Sequence, residues 1–125
     1  MTETTNVGAV FDMCTFRDVL FNASTHTDAA FINCTFTGSN FFDATFENVR
    51  MREADLTGAR LDGATVRGVD LSGAWLHSAK LSGCDLRGSD LSSVDPLTVE
   101  LNRTIIDVDQ AVTLAVALGL DVRPE

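Results

Sequence analysis

Residues 54–91 read "ADLTGARLDGATVRGVDLSGAWLHSAKLSGCDLRGSDL", and leucine stands at 56, 61, 71, 76, 81, 86 and 91. Every gap is five residues or a multiple of five. In an α-helix a step of five turns a side chain by about 140°, so these leucines would form no stripe. In one long strand an odd step flips faces each time. Neither regular element explains the spacing.

The same phase extends outward from this stretch. Taking position i as every residue numbered one more than a multiple of five, the column from Phe11 to Leu91 holds seventeen residues, and sixteen of them are large and apolar. His26 is the exception. Position i−2 is always small, from Ala9 and Cys14 through Ala54 and Ala59 to Cys84 and Ser89. A strand places i−2 and i on one face, so each unit reads as a short extended piece with both residues inward. Glycine at i+2 (Gly38, Gly58, Gly63, Gly68, Gly73, Gly83, Gly88) fits a turn needing positive φ. Corner after corner, the chain coils into a solenoid with a core of stacked large and small residues.

The pattern, small-x-Leu/Phe-x-x over about residues 9–95, resembles the pentapeptide-repeat family. That resemblance implies an all-β solenoid, a right-handed quadrilateral β-helix with four units per coil. Here it would have about five coils and stand about 24 Å tall at the spacing of paired strands. The division expected is a lead-in at 1–8, repeats at 9–106, and a helix and tail at 107–125.

Pro96 lacks an amide donor and marks the fading of regular coils. Beyond it, Asp107 with Gln110 three residues on forms a capping box, and Gly119 is the natural stop. The spacing predicts a helix over about 108–118, apolar on nearly every side. One face should plug the last coil. The other needs a partner, most simply the same helix of a second chain, through Val112, Leu114, Ala115, Val116, Leu118 and Leu120. The alternative is that Leu120 and Val122 fold back over it. The tail, "VDP" at 94–96, "IDVDQAV" at 106–112 and "GL" at 119–120, is similar to that of the MfpA-type and Qnr-type pentapeptide proteins. This resemblance implies tail-to-tail dimers that imitate duplex DNA, bind DNA gyrase or topoisomerase IV and counter fluoroquinolones. The chain is shorter than that group, without long loops.

Net charge is −9 and the pI about 4.4, which argues against binding nucleic acid. Acidity suits solubility, a basic partner, or a surface that mimics a polyanion. Sorting the outward residues by side, one side carries Asp12, Glu53, Asp70 and Asp90 against Arg50 and Arg52. The adjacent side carries Asp18, Asp55 and Asp95 against Arg17. These seven carboxylates are the candidate partner-binding surface. Duplex DNA of about 24 Å holds about 14 charges, so the charge density here is of the same order.

No metalloprotease, hydrolase, P-loop or calcium-loop motif is present, and a filled rod offers no pocket. The expectation is no enzyme, cofactor, metal or small-molecule substrate. No stretch approaches a membrane span, and the start "MTETTNVGAVF" has no basic region followed by an apolar run, so a cytoplasmic protein is expected. Cys14 and Cys34 should stack on successive coils as reduced core thiols. His26 reads as an end-coil residue with access to water rather than a ligand or switch. His77 faces solvent. An alternative function is a structural or adaptor solenoid contacting an unrelated protein through Leu20, Ile32, Phe42 and Trp75. An ice-binding threonine array over Thr25, Thr45 and Thr65 is spoiled by Glu47 and Arg67.

Overall fold

The computed structural model describes residues 3–124. Six three-residue strands precede one helix: β1 (Thr5–Val7), β2 (Val10–Asp12), β3 (Thr25–Thr27), β4 (Ala30–Ile32), β5 (Thr45–Glu47), β6 (Thr65–Arg67) and α1 (Val108–Ala117). All pairing is parallel, and partners are twenty residues apart, as in Thr5 with Thr25 and Phe11 with Phe31. Isolated bridges continue the same register along four lines, for example Thr15–Thr35–Asp55–Trp75 and Leu20–Asn40–Arg60–Lys80–Glu100. Four lines of pairing with a twenty-residue step define a four-sided β-solenoid. The continuous sheet β1-β3-β5-β6 covers about three turns, short of the five coils expected, and single bridges carry the same register from Thr65 through Asp85 to Ile105.

The backbone accounts for the repeat. In most units the amide of residue i donates to the carbonyl nineteen residues on, as in Phe16 to Thr35 (2.6 Å), Phe36 to Asp55 (2.7 Å) and Leu61 to Lys80 (2.7 Å). The amide at i−1 donates back to the previous coil, as in Asp55 to Cys34 (2.9 Å). The amide at i−2 closes the corner onto the preceding i carbonyl, as in Ala59 to Leu56 (2.9 Å). These bonds satisfy the groups that a short strand would otherwise leave open. The i+2 residue takes a positive φ from Glu3 to Gly88, including Asp18, Asp28, Asn33, Asp43 and Asn48. Asparagine and aspartate tolerate this region best among residues with a Cβ. The glycine rule read from the sequence thus holds for the leucine half, while the phenylalanine half uses other residues.

Four inward columns fill the rod. In the first coils they are aromatic stacks: Phe11 on Phe31 (4.9 Å), Phe16 on Phe36 (5.2 Å), Phe21 on Phe41 (4.8 Å) and His26 on Phe46 (4.8 Å). Neighbouring columns meet edge to face, as Phe36 and Phe41 do at 5.4 Å, an arrangement that ring quadrupoles favour. Below them the columns continue as Met51, Leu56, Leu61 and Val66, all buried.

His26 corrects an expectation. It is 0% exposed, not in contact with water. The reason is β1: strand pairing begins at Thr5, so Asn6 lies one coil above His26. The Asn6 side-chain amide donates to His26 Nδ1 (3.3 Å). Nε2–H donates to Ser24 Oγ (3.0 Å), whose hydroxyl donates to the Phe21 carbonyl (2.7 Å). This network fits the neutral ring. Burial lowers the His26 pKa from 6.5 to about 4.

The carboxyl end is closed by a polar plug. Asp107 caps α1: Oδ1 accepts from the Gln110 amide and Oδ2 from the Gly88 amide, both at 2.9 Å. These amides hold its carboxyl below the usual carboxylate range. Gln110 returns Oε1 to the Asp107 amide (2.9 Å) and sends Nε2 to the carbonyls of Leu86 (2.5 Å) and Ser89 (2.8 Å). Leu114 packs against the core beside it. The last turn ends as a Schellman motif, with Leu120 donating to Ala115 (3.0 Å) and Gly119 at φ 85°. Replacing Gln110 with alanine is expected to cost about 2 kcal/mol, because two coil carbonyls and the capping box lose their partner together. Urea unfolding measures this; an unchanged midpoint would mean the helix does not close the rod.

Candidate partner-binding surface

The interior leaves nothing for a ligand. The void in the leucine-lined half, between Phe41 and Leu86, holds about 10 Å³ and has no polar lining. That is close to the space one water needs. Among the described residues no group of three or more His, Cys, Asp or Glu side chains is placed to hold a metal ion. Among the described residues no helix is long and apolar enough to cross a membrane. Cys34 and Cys84 are buried and Cys14 half-buried, all three as free thiols. Desolvation pushes Cys84 up to about 12.

The side chains open to solvent along the rod are those at the outward positions i−1, i+1 and i+2. Asp12, Glu53, Asp70 and Asp90 fall on the side marked by the Ala30–Arg50–Asp70 bridges. Asp18, Asp55 and Asp95 fall on the adjacent side, marked by Thr35–Asp55–Trp75. Asp70 is not free: Arg52, one coil away on the diagonal, approaches it at 2.6 Å. The Ser72 hydroxyl and Arg52 both donate to it and lower its carboxyl to about 2. The other six carboxylates form no ion pair among the described residues.

The aspartate before a leucine has a structural duty that sequence reasoning missed. Asp55 Oδ1 accepts from the Thr57 amide (3.0 Å), and Asp90 Oδ1 from that of Ser92 (2.9 Å). Asp70, Asp85 and Asp95 do the same to Ser72 (3.0 Å), Arg87 (3.1 Å) and Leu97 (3.0 Å). In these units the amide at i+1 takes no part in the coil-to-coil bonds, so a carboxylate two residues back supplies its acceptor. The signal in the sequence was the recurrence of Asp at i−1, which electrostatics alone does not require.

The second candidate surface is the outer face of α1. Val112, Val116, Leu118 and Leu120 are 42%, 58%, 47% and 59% exposed. Leu114 and Ala115 face the rod more closely, and Leu114 belongs to its core. Val122 is also exposed, so the tail does not cover the helix.

A rod with a filled core and outward columns that recur every twenty residues is a repeat protein. The pentapeptide repeat region matches residues 24–107, and the chain belongs to the pentapeptide repeat family. Among solved structures it is similar to a pentapeptide repeat protein of the Arabidopsis thaliana thylakoid lumen, at 25% identity over 93% of this chain and 77% of that one, with a TM-score of 0.63. It is also similar to the plasmid-mediated fluoroquinolone resistance protein QnrB1, at 18% identity over 94% of this chain and 99% of that one, with a TM-score of 0.36. A third, Rfr23 of the cyanobacterium Cyanothece 51142, is 17% identical over 86% of each chain, with a TM-score of 0.46. No curated protein matches the sequence.

Proposed function

We propose that this pentapeptide repeat protein is a non-enzymatic DNA mimic that binds the DNA groove of a type II topoisomerase, gyrase or topoisomerase IV. The observation that carries this reading is the set of six carboxylates without an ion pair among the described residues, Asp12, Asp18, Glu53, Asp55, Asp90 and Asp95, on two adjacent sides of the rod. A basic groove accepts such a surface by charge complementarity. The exposed face of α1 supports a tail-to-tail dimer, which would double −9 to −18 (2 × −9) on a rod about 50 Å long plus its caps.

Two measurements separate the parts of the proposal. Added protein should inhibit gyrase supercoiling, or rescue it from a fluoroquinolone, at micromolar concentration. Changing Asp55, Asp90 and Asp95 together to asparagine keeps each Oδ1 acceptor and removes three charges. That variant should stay folded, lose most of the effect and flatten its salt dependence. No effect of the parent protein on supercoiling would end the topoisomerase reading. For the dimer, the parent should run at twice its 13.4 kDa mass and Val116→Glu at once that mass. Val116 is the better site than Leu114, whose change would also disturb the core.

A further inference from the structure

On the side that carries Asp55 and Asp95 the coil-to-coil ladder breaks one coil beyond the chain's single tryptophan. Trp75 is 67% exposed although its backbone is held in register, its amide on Ala54 (2.9 Å) and its carbonyl on Leu56 (2.7 Å). One coil further on, the nineteen-residue rule would give the Asp95 carbonyl to Leu76. Instead that carbonyl accepts the Thr98 amide and hydroxyl, both at 3.1 Å, in the turn that follows Pro96. The Ser78 amide accordingly reaches Thr98 (2.8 Å) rather than residue 97. The displaced turn leaves an open groove of about 350 Å³, lined by Gly73, Trp75, His77, Ser93, Asp95 and Thr98.

Trp75 and Asp95 line this groove, and Asp55 lies one coil before Trp75 on the same side. Asp55 bridges directly to Trp75 from the coil above, and Asp95 shares the groove from below. Each carboxylate gives Oδ1 to the amide two residues on and keeps Oδ2 for a partner. Paired coils lie about 4.8 Å apart, the step from Asp55 to Trp75. The exposed indole thus has one carboxylate a coil before it and another in the groove beyond it, an arrangement that suits a planar cation. Guanidinium stacks on indole and hydrogen-bonds carboxylate in its own plane, which an ammonium cannot do.

We propose that the Asp55–Trp75–Asp95 column is a docking site for an arginine-bearing extended segment of a partner protein, with one guanidinium laid on Trp75 between the two carboxylates. Charge complementarity selects this occupant: the side is acidic, the net charge is −9, and its one lysine or arginine, Arg17, lies coils away. The site extends the partner reading without depending on topoisomerase. A failed supercoiling assay leaves it standing.

Because Trp75 is the only tryptophan, its fluorescence reports the site directly. Titration of the full-length protein with a blocked hexa-arginine peptide should give a saturable change. Hexa-lysine should bind several-fold more weakly. Calorimetry should find the arginine peptide weakened about fivefold by Trp75→Ala and less by Trp75→Phe. Asp55→Asn with Asp95→Asn should weaken it further and flatten its salt dependence. Equal affinity for both peptides, or for Trp75→Ala and the parent, overturns the proposal. So does a change in solution mass on Trp75→Ala with peptide affinity intact, which would make this face a contact between two copies.

Discussion

Phe41→Ala should lower the stability of the rod by about 4 kcal/mol, while Phe42→Ala, one residue away, should lie within about 0.5 kcal/mol of the parent. Phe41 is fully buried, stacked on Phe21 at 4.8 Å and edge-on to Phe36 and Phe46 at 5.4 Å each. Its removal leaves a cavity in a column whose neighbours are pinned by backbone bonds on both sides and cannot collapse inward. Phe42 is 45% exposed at i+1 and lies outside the core cluster. Urea unfolding of both variants reads the difference. Comparable costs would mean that the five-residue phase is wrong in the aromatic half.

Acid should destabilise the amino-terminal half through His26. In the unfolded chain this imidazole titrates near its ordinary value of 6.5, and in the folded chain burial holds it near 4. Between these values the unfolded state binds the extra proton, so stability is intact above about pH 6.5 and falls as pH drops toward 4. The gap corresponds to about 3 kcal/mol in total, of which about 2 kcal/mol should be lost between pH 6.5 and 4.5, before most carboxylates protonate. The groups facing the ring are Phe21, Phe31, Phe46, Ser24 and Asn6, none of them ionisable. No carboxylate can take up the charge, and a proton on Nδ1 would face the Asn6 amide donor. His26→Phe should be less stable at neutral pH, with the Asn6 amide losing its acceptor and Ser24 Oγ its donor, but should lose this slope. An unchanged slope in that variant would place the acid sensitivity elsewhere.

Most of the fold was legible because each position in the unit has one job. Leu56, Leu61 and Leu71 share a phase that no helix or strand allows, so the solenoid follows from spacing alone. Asp107, Gln110 and Gly119 spelled out the helix boundaries. What the spacing hid were polar residues with inward duties. Gln110 was legible as half of a capping box but not as the donor to Leu86 and Ser89, because those partners lie more than twenty residues back. Ser39 and Ser89 looked like small core residues. Their hydroxyls bridge the corner of the coil above, from the Phe16 carbonyl to the Val19 amide and from Val66 to Val69. His26 was misplaced for a similar reason: Asn6 keeps the phase but not the apolar type, so the coil covering it was not recognised. The acidic sides were legible as columns. The Arg52–Asp70 pair was not, since it depends on a diagonal reach across coils rather than on residues of one unit.

The twenty-residue pairing has a consequence for how such a chain is specified. Apart from the helix plug, each bridge and corner bond joins a residue only to the coil directly before or after it. The molecule thus has a memory of one turn: a residue's surroundings are decided by about twenty neighbours on either side, and nothing more distant is consulted. Rods of this kind can be copied, shortened or recombined in whole turns with every seam already compatible. Length becomes a quantity that can be set independently of sequence, as links are added to or taken from a chain.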